Sequence, residues 1–278
     1  MATAFEFRLG EDRVIRGDGY PARKEAHGTL LICHGYKGFK NWGFFPYAAE
    51  RLAENVDVVA FNFSHNGVGE DLLEFTELDK FARNTYSREQ EDVAFLVTAI
   101  KQKKFLGLED NSRKPLFLLG HSRGAGTALI YAFDNPGKLA GVVSWNGIVK
   151  VDLFSEEEKK KMREEGRAYT INGRTKQAMP LDAEILEDME RNRERFDILN
   201  RAGHSSVPIA LVQGTEDFER LRRGSDELRA VRPDIPLYPV KGGGHTFNTV
   251  HPFQGTTEEL EQALGYTLSW IEERLAQQ

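Results

Sequence analysis

The chain has 278 residues, with 37 Lys plus Arg against 43 Asp plus Glu and a net charge of −6. With 40% hydrophobic and 29% charged residues it has the make-up of a globular protein rather than a disordered one, and its mild acidity gives no global pull toward nucleic acid or anionic membranes. The single cysteine, Cys33, excludes an intramolecular disulfide and a cysteine-built zinc site.

The chain opens without the basic-then-apolar order of a signal peptide, and no run approaches the ~18 apolar residues of a membrane span. A soluble cytoplasmic protein is therefore expected. Residues 5–16 alternate apolar and polar, which predicts an antiparallel hairpin at a sheet edge. From residue 29 onward, strands are predicted at 29–33, 56–63, 115–119, 139–145, 208–212 and 235–240. Helical patterns lie between and after them, near 43–54, 87–103, 123–133, 218–230 and 256–276. Ser87 followed by Gln90 supplies a start for the second of these helices. Several strand runs are almost continuously apolar, as strands covered on both faces are. Strand alternating with helix predicts a mostly parallel central sheet flanked by helices on both faces.

Residues 146–207 break this rhythm. They carry a charge run at 155–165, then Ile185, Leu186, Met189, Phe196 and Leu199 at helical spacing, and no strand pattern. The stretch is too long for a plain strand–helix connection. It reads as a small helical cap inserted into one domain spanning 1–278.

The chemistry centres on Gly120-His121-Ser122-Arg123-Gly124. This G-x-S-x-G follows a buried strand and opens a helix, the context in which a serine is held exposed on a tight turn. Five residues are too few to identify a nucleophile, but the strand and helix around them are what the chemistry needs. A serine needs a base, and in the hydrolase order acid and histidine both follow it. His204, His245 and His251 remain, and His245 ends a glycine-rich loop directly after the last predicted strand. For the acid, Asp217 follows the strand at 208–212 and a Gly214 turn; Asp152 is the alternative. The backbone N–H groups of Arg123 and of Tyr36, in the loop His34-Gly35-Tyr36, are the candidate oxyanion donors. His34 itself reads as a residue that packs and orients that loop.

With these residues in place, the sequence resembles the α/β-hydrolase superfamily from about residue 5 to 276. Residues 34–46 and 61–69 resemble a bacterial branch grouped with dienelactone-hydrolase-like and acyl (cinnamoyl-type) esterases. The second stretch occupies the place where many relatives carry an Asp-x-Arg-Gly-x-Gly loop; here the Arg is replaced and His65 appears. Dienelactone hydrolases use a cysteine nucleophile; Ser122 here implies a serine esterase. The resemblance also implies a cap between the sixth and seventh strands, which matches 146–207.

The function expected is hydrolysis of small-molecule carboxylic esters of short or aromatic acyl groups. A peptidase or amide hydrolase with the same three residues is the alternative, and a non-catalytic binding module on the same fold a third reading. Phe39, Trp145, Met179 and Phe247 are the candidate substrate contacts; the cap's apolar residues could equally dock the cap on the body. No Walker A, G-x-G-x-x-G or H-E-x-x-H pattern is present, so no cofactor or metal is expected, nor a nucleic-acid or membrane partner. Oligomeric state is not legible in the sequence.

Overall fold

The computed structural model describes residues 1–105, 107, 108, 110 and 112–277. The amino-terminal alternation forms β1 (Thr3–Arg8) and β2 (Val14–Tyr20), paired antiparallel. Next come β3 (Thr29–Cys33), α1 (Phe45–Leu52), β4 (Asp57–Asn62), α2 (Leu78–Ala82) and α3 (Tyr86–Lys101). The middle of the chain forms β5 (Leu116–His121), α4 (Arg123–Asp134) and β6 (Gly141–Trp145). After β6 lie α5 (Glu156–Glu165), β7 (Arg167–Ile171), β8 (Ala178–Asp182), α6 (Glu184–Arg191) and α7 (Ile198–Ala202). Then follow β9 (Ile209–Gly214), α8 (Glu219–Val231), β10 (Leu237–Val240) and α9 (Glu258–Leu275).

Eight strands make one sheet in the order β1-β2-β4-β3-β5-β6-β9-β10. The β1–β2 hairpin sits at one edge, joined antiparallel to β4, and every pairing from β4 across to β10 is parallel. Alternate residues of the central strands feed opposite layers. Leu31, Cys33 and Leu118 pack with Val93 and Leu96 of α3 and Leu129 of α4. Leu30, Ile32, Phe117 and Leu119 pack with Leu52 of α1 and Leu264 of α9 on the other side. Burial on both faces is why these runs read as continuously apolar. Because β3, β5, β6, β9 and β10 are parallel, the loops leaving their carboxyl ends emerge at one edge of the sheet, where such folds bind ligands.

Two local expectations are corrected. α3 begins at Tyr86 on a Thr85 cap, whose hydroxyl accepts from Arg88 N at 3.2 Å. Ser87 instead donates its hydroxyl to Asp188 of α6, tying the inserted segment to the body. The insertion is also not purely helical, since β7 and β8 form an antiparallel hairpin inside it. Each strand is only five residues long, and β8 contains Pro180. The hairpin buries Ala168, Met179 and Leu181 while Tyr169 and Ile171 stay exposed. So short an alternation leaves little period to read in the sequence. Tertiary contact holds it in place: β7 packs on α5, and β8 on α2. Among the described residues no helix is long and apolar enough to cross a membrane.

Candidate active site

The turn between β5 and α4 is built by sterics. Ser122 has φ 56 and ψ −118, a backbone conformation that costs a non-glycine residue roughly 1–3 kcal/mol. Glycines on both sides let the neighbouring chain come close enough to hold it there. A Cβ on Gly120 would lie 2.3 Å from Ala125 Cα, and one on Gly124 would lie 2.2 Å from Cys33 O. Ser122 N donates to Trp145 O at 2.9 Å, anchoring the turn to β6.

The strained serine meets an imidazole and a carboxylate from two other loops. Ser122 Oγ and His245 Nε2 are 3.1 Å apart, and His245 Nδ1 lies 2.9 Å from Asp217 Oδ1. His245 ends the Gly242-Gly243-Gly244 loop after β10, and Asp217 lies just beyond β9. Asp217 is buried, which by itself raises its pKa. Hydrogen bonds from His245, Gln213 Nε2 at 3.0 Å and Phe218 N at 2.7 Å outweigh that, and the carboxyl titrates below its ordinary value. It is therefore ionised at neutral pH and acts as an acceptor toward the imidazole.

Asn146 and His121, for which the sequence alone gives no role, hold this arrangement in register. Asn146 follows β6 directly and has φ 46, a conformation Asn tolerates better than most residues. Its Nδ2 donates to Gly244 O at 3.2 Å and His245 O at 2.9 Å. Its Oδ1 accepts from Gly214 N at 2.7 Å and Gln213 Nε2 at 3.0 Å. One amide thus clamps the loop bearing Asp217 to the loop bearing His245. His121 Nε2 donates to the same His245 carbonyl at 2.8 Å. Burial, and then the nearby His245, push the His121 pKa down to about 3, so this ring is neutral.

The other candidates stand elsewhere. His204 Nδ1 donates to Asn200 O, and His251 Nδ1 accepts from Gly43 N. Asp152 accepts from Lys159 and from Phe154 N. His34 donates to Gly35 O at 3.0 Å while its Nε2 faces Phe63 N and Asn66, which fixes the loop after β3. That loop lies against the elbow: a Cβ on Gly35 would stand 3.1 Å from Ser122 Cβ. Among the described residues, the N–H groups of Tyr36 and Arg123 donate to no acceptor. For Arg123, as first residue of α4, this follows from helix geometry. Its side chain is buried in an ion pair with Glu89 of α3 at 2.8 Å, and its guanidinium lies 3.8 Å from the centre of the Tyr86 ring.

A cavity of about 140 Å³ opens beside Ser122 and His245, walled by Tyr36, Lys37, Trp42, Phe45, His121 and Thr246. The four apolar residues expected to touch substrate are not on that wall. Phe39, Trp145, Met179 and Phe247 are fully buried. Trp145 donates its Nε1–H to Thr267 and meets Phe247 edge-on, Phe39 packs on Phe75 and His251, and Met179 belongs to the core shared by cap and body. Among the described residues no three His, Cys, Asp or Glu side chains are grouped as ligands for a metal ion.

A parallel sheet, a serine on a strained strand-to-helix turn and a histidine from the last strand's loop define an α/β hydrolase. The family model described as serine aminopeptidase, S33, matches residues 24–195, and the chain belongs to that family of hydrolases. No curated protein matches the chain in sequence. Its fold is similar to that of Est1E from Butyrivibrio proteoclasticus, with TM-score 0.70, 13% identity, and 98% of this chain and 99% of that one covered. A monoacylglycerol lipase from Paleococcus ferrophilus gives TM-score 0.67 at 16% identity, covering 94% and 99%. The esterase domain of a Rhodothermus marinus protein gives 0.62 at 15%, covering 97% and 96%.

Proposed function

We propose that the protein hydrolyses small carboxylic esters through an acyl-enzyme on Ser122. The observation that carries this reading is the unbroken line from Ser122 Oγ through His245 to Asp217 Oδ1, with steps of 3.1 and 2.9 Å. Ser122 attacks the ester carbonyl while His245 Nε2 takes its proton. Asp217 holds the Nδ1–H tautomer and stabilises the imidazolium. The N–H groups of Tyr36 and Arg123 receive the negative charge that develops on the carbonyl oxygen. Collapse expels the alcohol, which takes the proton from His245. Water, deprotonated by His245, then attacks the acyl-serine and releases the acid.

The cavity supports short or aromatic acyl groups. Its 140 Å³ is below the roughly 300–1,000 Å³ of ordinary ligand sites, and Tyr36, Trp42 and Phe45 give it aromatic walls. Est1E has been described with ferulic acid bound, an aromatic acid, which is consistent with this choice. The test is kcat/KM for p-nitrophenyl esters of rising chain length, a hydroxycinnamoyl ester and the matching anilides. The reading expects the acetyl or aromatic esters to lead and the anilides to trail. Anilides turned over as fast as esters would make the protein an amidase instead.

A further inference from the structure

One lysine, Lys37, lines this cavity, and among the described residues no carboxylate is bonded to its ammonium. Lys37 follows Tyr36 in the loop after β3. Its Nζ donates to Thr170 Oγ1 at 3.0 Å and Ile171 O at 2.9 Å, both on β7 of the cap hairpin. These are neutral oxygens, and an ammonium has three N–H bonds, so one N–H is left without an acceptor among the described residues and no carboxylate hydrogen-bonds the charge. Glu158 is close enough to act on Lys37 electrostatically. Only its Oε2 is held, accepting from Ser155 N at 2.8 Å and Ser155 Oγ at 2.9 Å in the cap of α5, and among the described residues it makes no hydrogen bond to Lys37. Among the described residues no Asp or Glu lines the cavity. Tyr36, whose ring centre is 5.2 Å from Lys37 Nζ, also has a buried hydroxyl with no hydrogen-bond partner among the described residues. Burial pushes the Lys37 pKa below its ordinary value, so the ammonium gains from any anion that reaches it.

We propose that Lys37 is an anion subsite of the Ser122 cavity, and that the preferred substrate is an ester bearing a carboxylate on its acyl or its alcohol part. This rests on the ester reading above and names its substrate class. The cap hairpin then serves the site indirectly, because Thr170 and Ile171 aim the cation rather than touch the substrate.

The experiment compares matched pairs in which a carboxylate replaces a carboxamide of nearly equal size. 4-Acetoxybenzoate against 4-acetoxybenzamide puts the charge on the alcohol part. The p-nitrophenyl monoesters of succinate and of succinamic acid put it on the acyl part. The wild type should favour the charged member of one pair by about tenfold in kcat/KM, the scale of one partly exposed charge-assisted hydrogen bond. The preference should shrink as salt rises. Lys37→Gln should bring the ratio to about one and Lys37→Arg should keep it, and a ratio taken within one variant cancels any general loss of activity. Turnover of the neutral members tests the ester reading separately. If no ester is turned over, the same ratio is read from the rates at which charged and neutral phosphonates of equal size label Ser122. A wild-type ratio at or below one in both pairs, or a preference that survives in Lys37→Gln, overturns the subsite.

Discussion

The elbow and the cap hairpin are both turns between short elements, yet they are held by opposite means. At the elbow the restraint is local and steric. Glycines two residues to either side of Ser122 are packed against backbone, with Gly120 on Ala125 and Gly124 on Cys33 O. The hairpin turn at 172–176 is open on its outer side. Asn172 Oδ1 accepts from Arg174 N and Thr175 N, and a Cβ on Gly173 would meet nothing within 4 Å. Its position comes from distant partners: Gln177 donates to Phe75 O, and Lys37 donates to β7. The contrast teaches that the proposed nucleophile sits on a turn closely restrained by backbone. The part that borders it can accept change at little cost to the fold.

Glycine substitutions at the two turns break this comparison if it is wrong. Gly124→Ala forces a contact of 2.2 Å with backbone, and should cost more than about 4 kcal/mol or prevent folding altogether. Urea unfolding and soluble yield report it. A Gly124→Ala protein of near-wild-type stability would mean that the elbow yields as readily as the hairpin.

Asn146→Ala is next. It removes the amide that joins the Asp217 loop to the His245 loop. In protein with native circular dichroism, kcat should fall about 10²-fold, the cost of misplacing reacting groups by roughly 1 Å. Unchanged kcat would mean that the two loops hold their register without it.

Acid should weaken the rigid part measurably. Burial lowers the pKa of His34 to about 4, of His65 to about 4 and of His121 to about 3. The unfolded chain protonates these rings near their ordinary value of about 6.5, while the folded chain does not. Protons therefore favour unfolding, and stability falls as pH drops from about 6.5 toward 4. Each ring contributes a slope on the order of 1.4 kcal/mol per pH unit. Asp92, which burial raises above its ordinary value of 3.8, works in the opposite direction at pH values above that. A His65→Gln variant isolates one ring: its urea-derived stability should fall less steeply than the wild type's between pH 6 and 4.5. Equal slopes would show that His65 is protonated in the folded state.

Gly173→Ala should change stability by less than about 1 kcal/mol in either direction. A large loss there would show that the hairpin turn is as tightly fixed as the elbow.

The same contrast decides what can be read from the sequence. The elbow is legible because its cause lies close by in the chain: a buried strand, two glycines and an apolar helix face. Asp217 and His245 are legible because each stands just past a strand in a fixed chain order. Asn146 is not, since its role exists only once β6, β9 and β10 are neighbours. The hairpin is not, since its short strands are fixed by α2, α5 and the loop after β3. Phe39, Trp145, Met179 and Phe247 stand out in the sequence as large apolar residues near the expected site. Hydrophobicity signals a core as readily as a pocket, and here it signals the core. The cavity wall uses Trp42, further along the same loop, and Phe45, the first residue of α1.

Catalysis from Ser122 is tested most directly by titrating the active protein with a fluorophosphonate, followed by peptide mapping. Activity should disappear in step with a single label on Ser122. Ser122→Ala should take no label and lose on the order of 10⁴-fold or more in kcat while staying folded. Near-wild-type turnover by Ser122→Ala, or activity that survives complete labelling of Ser122, would contradict a nucleophilic role for this serine.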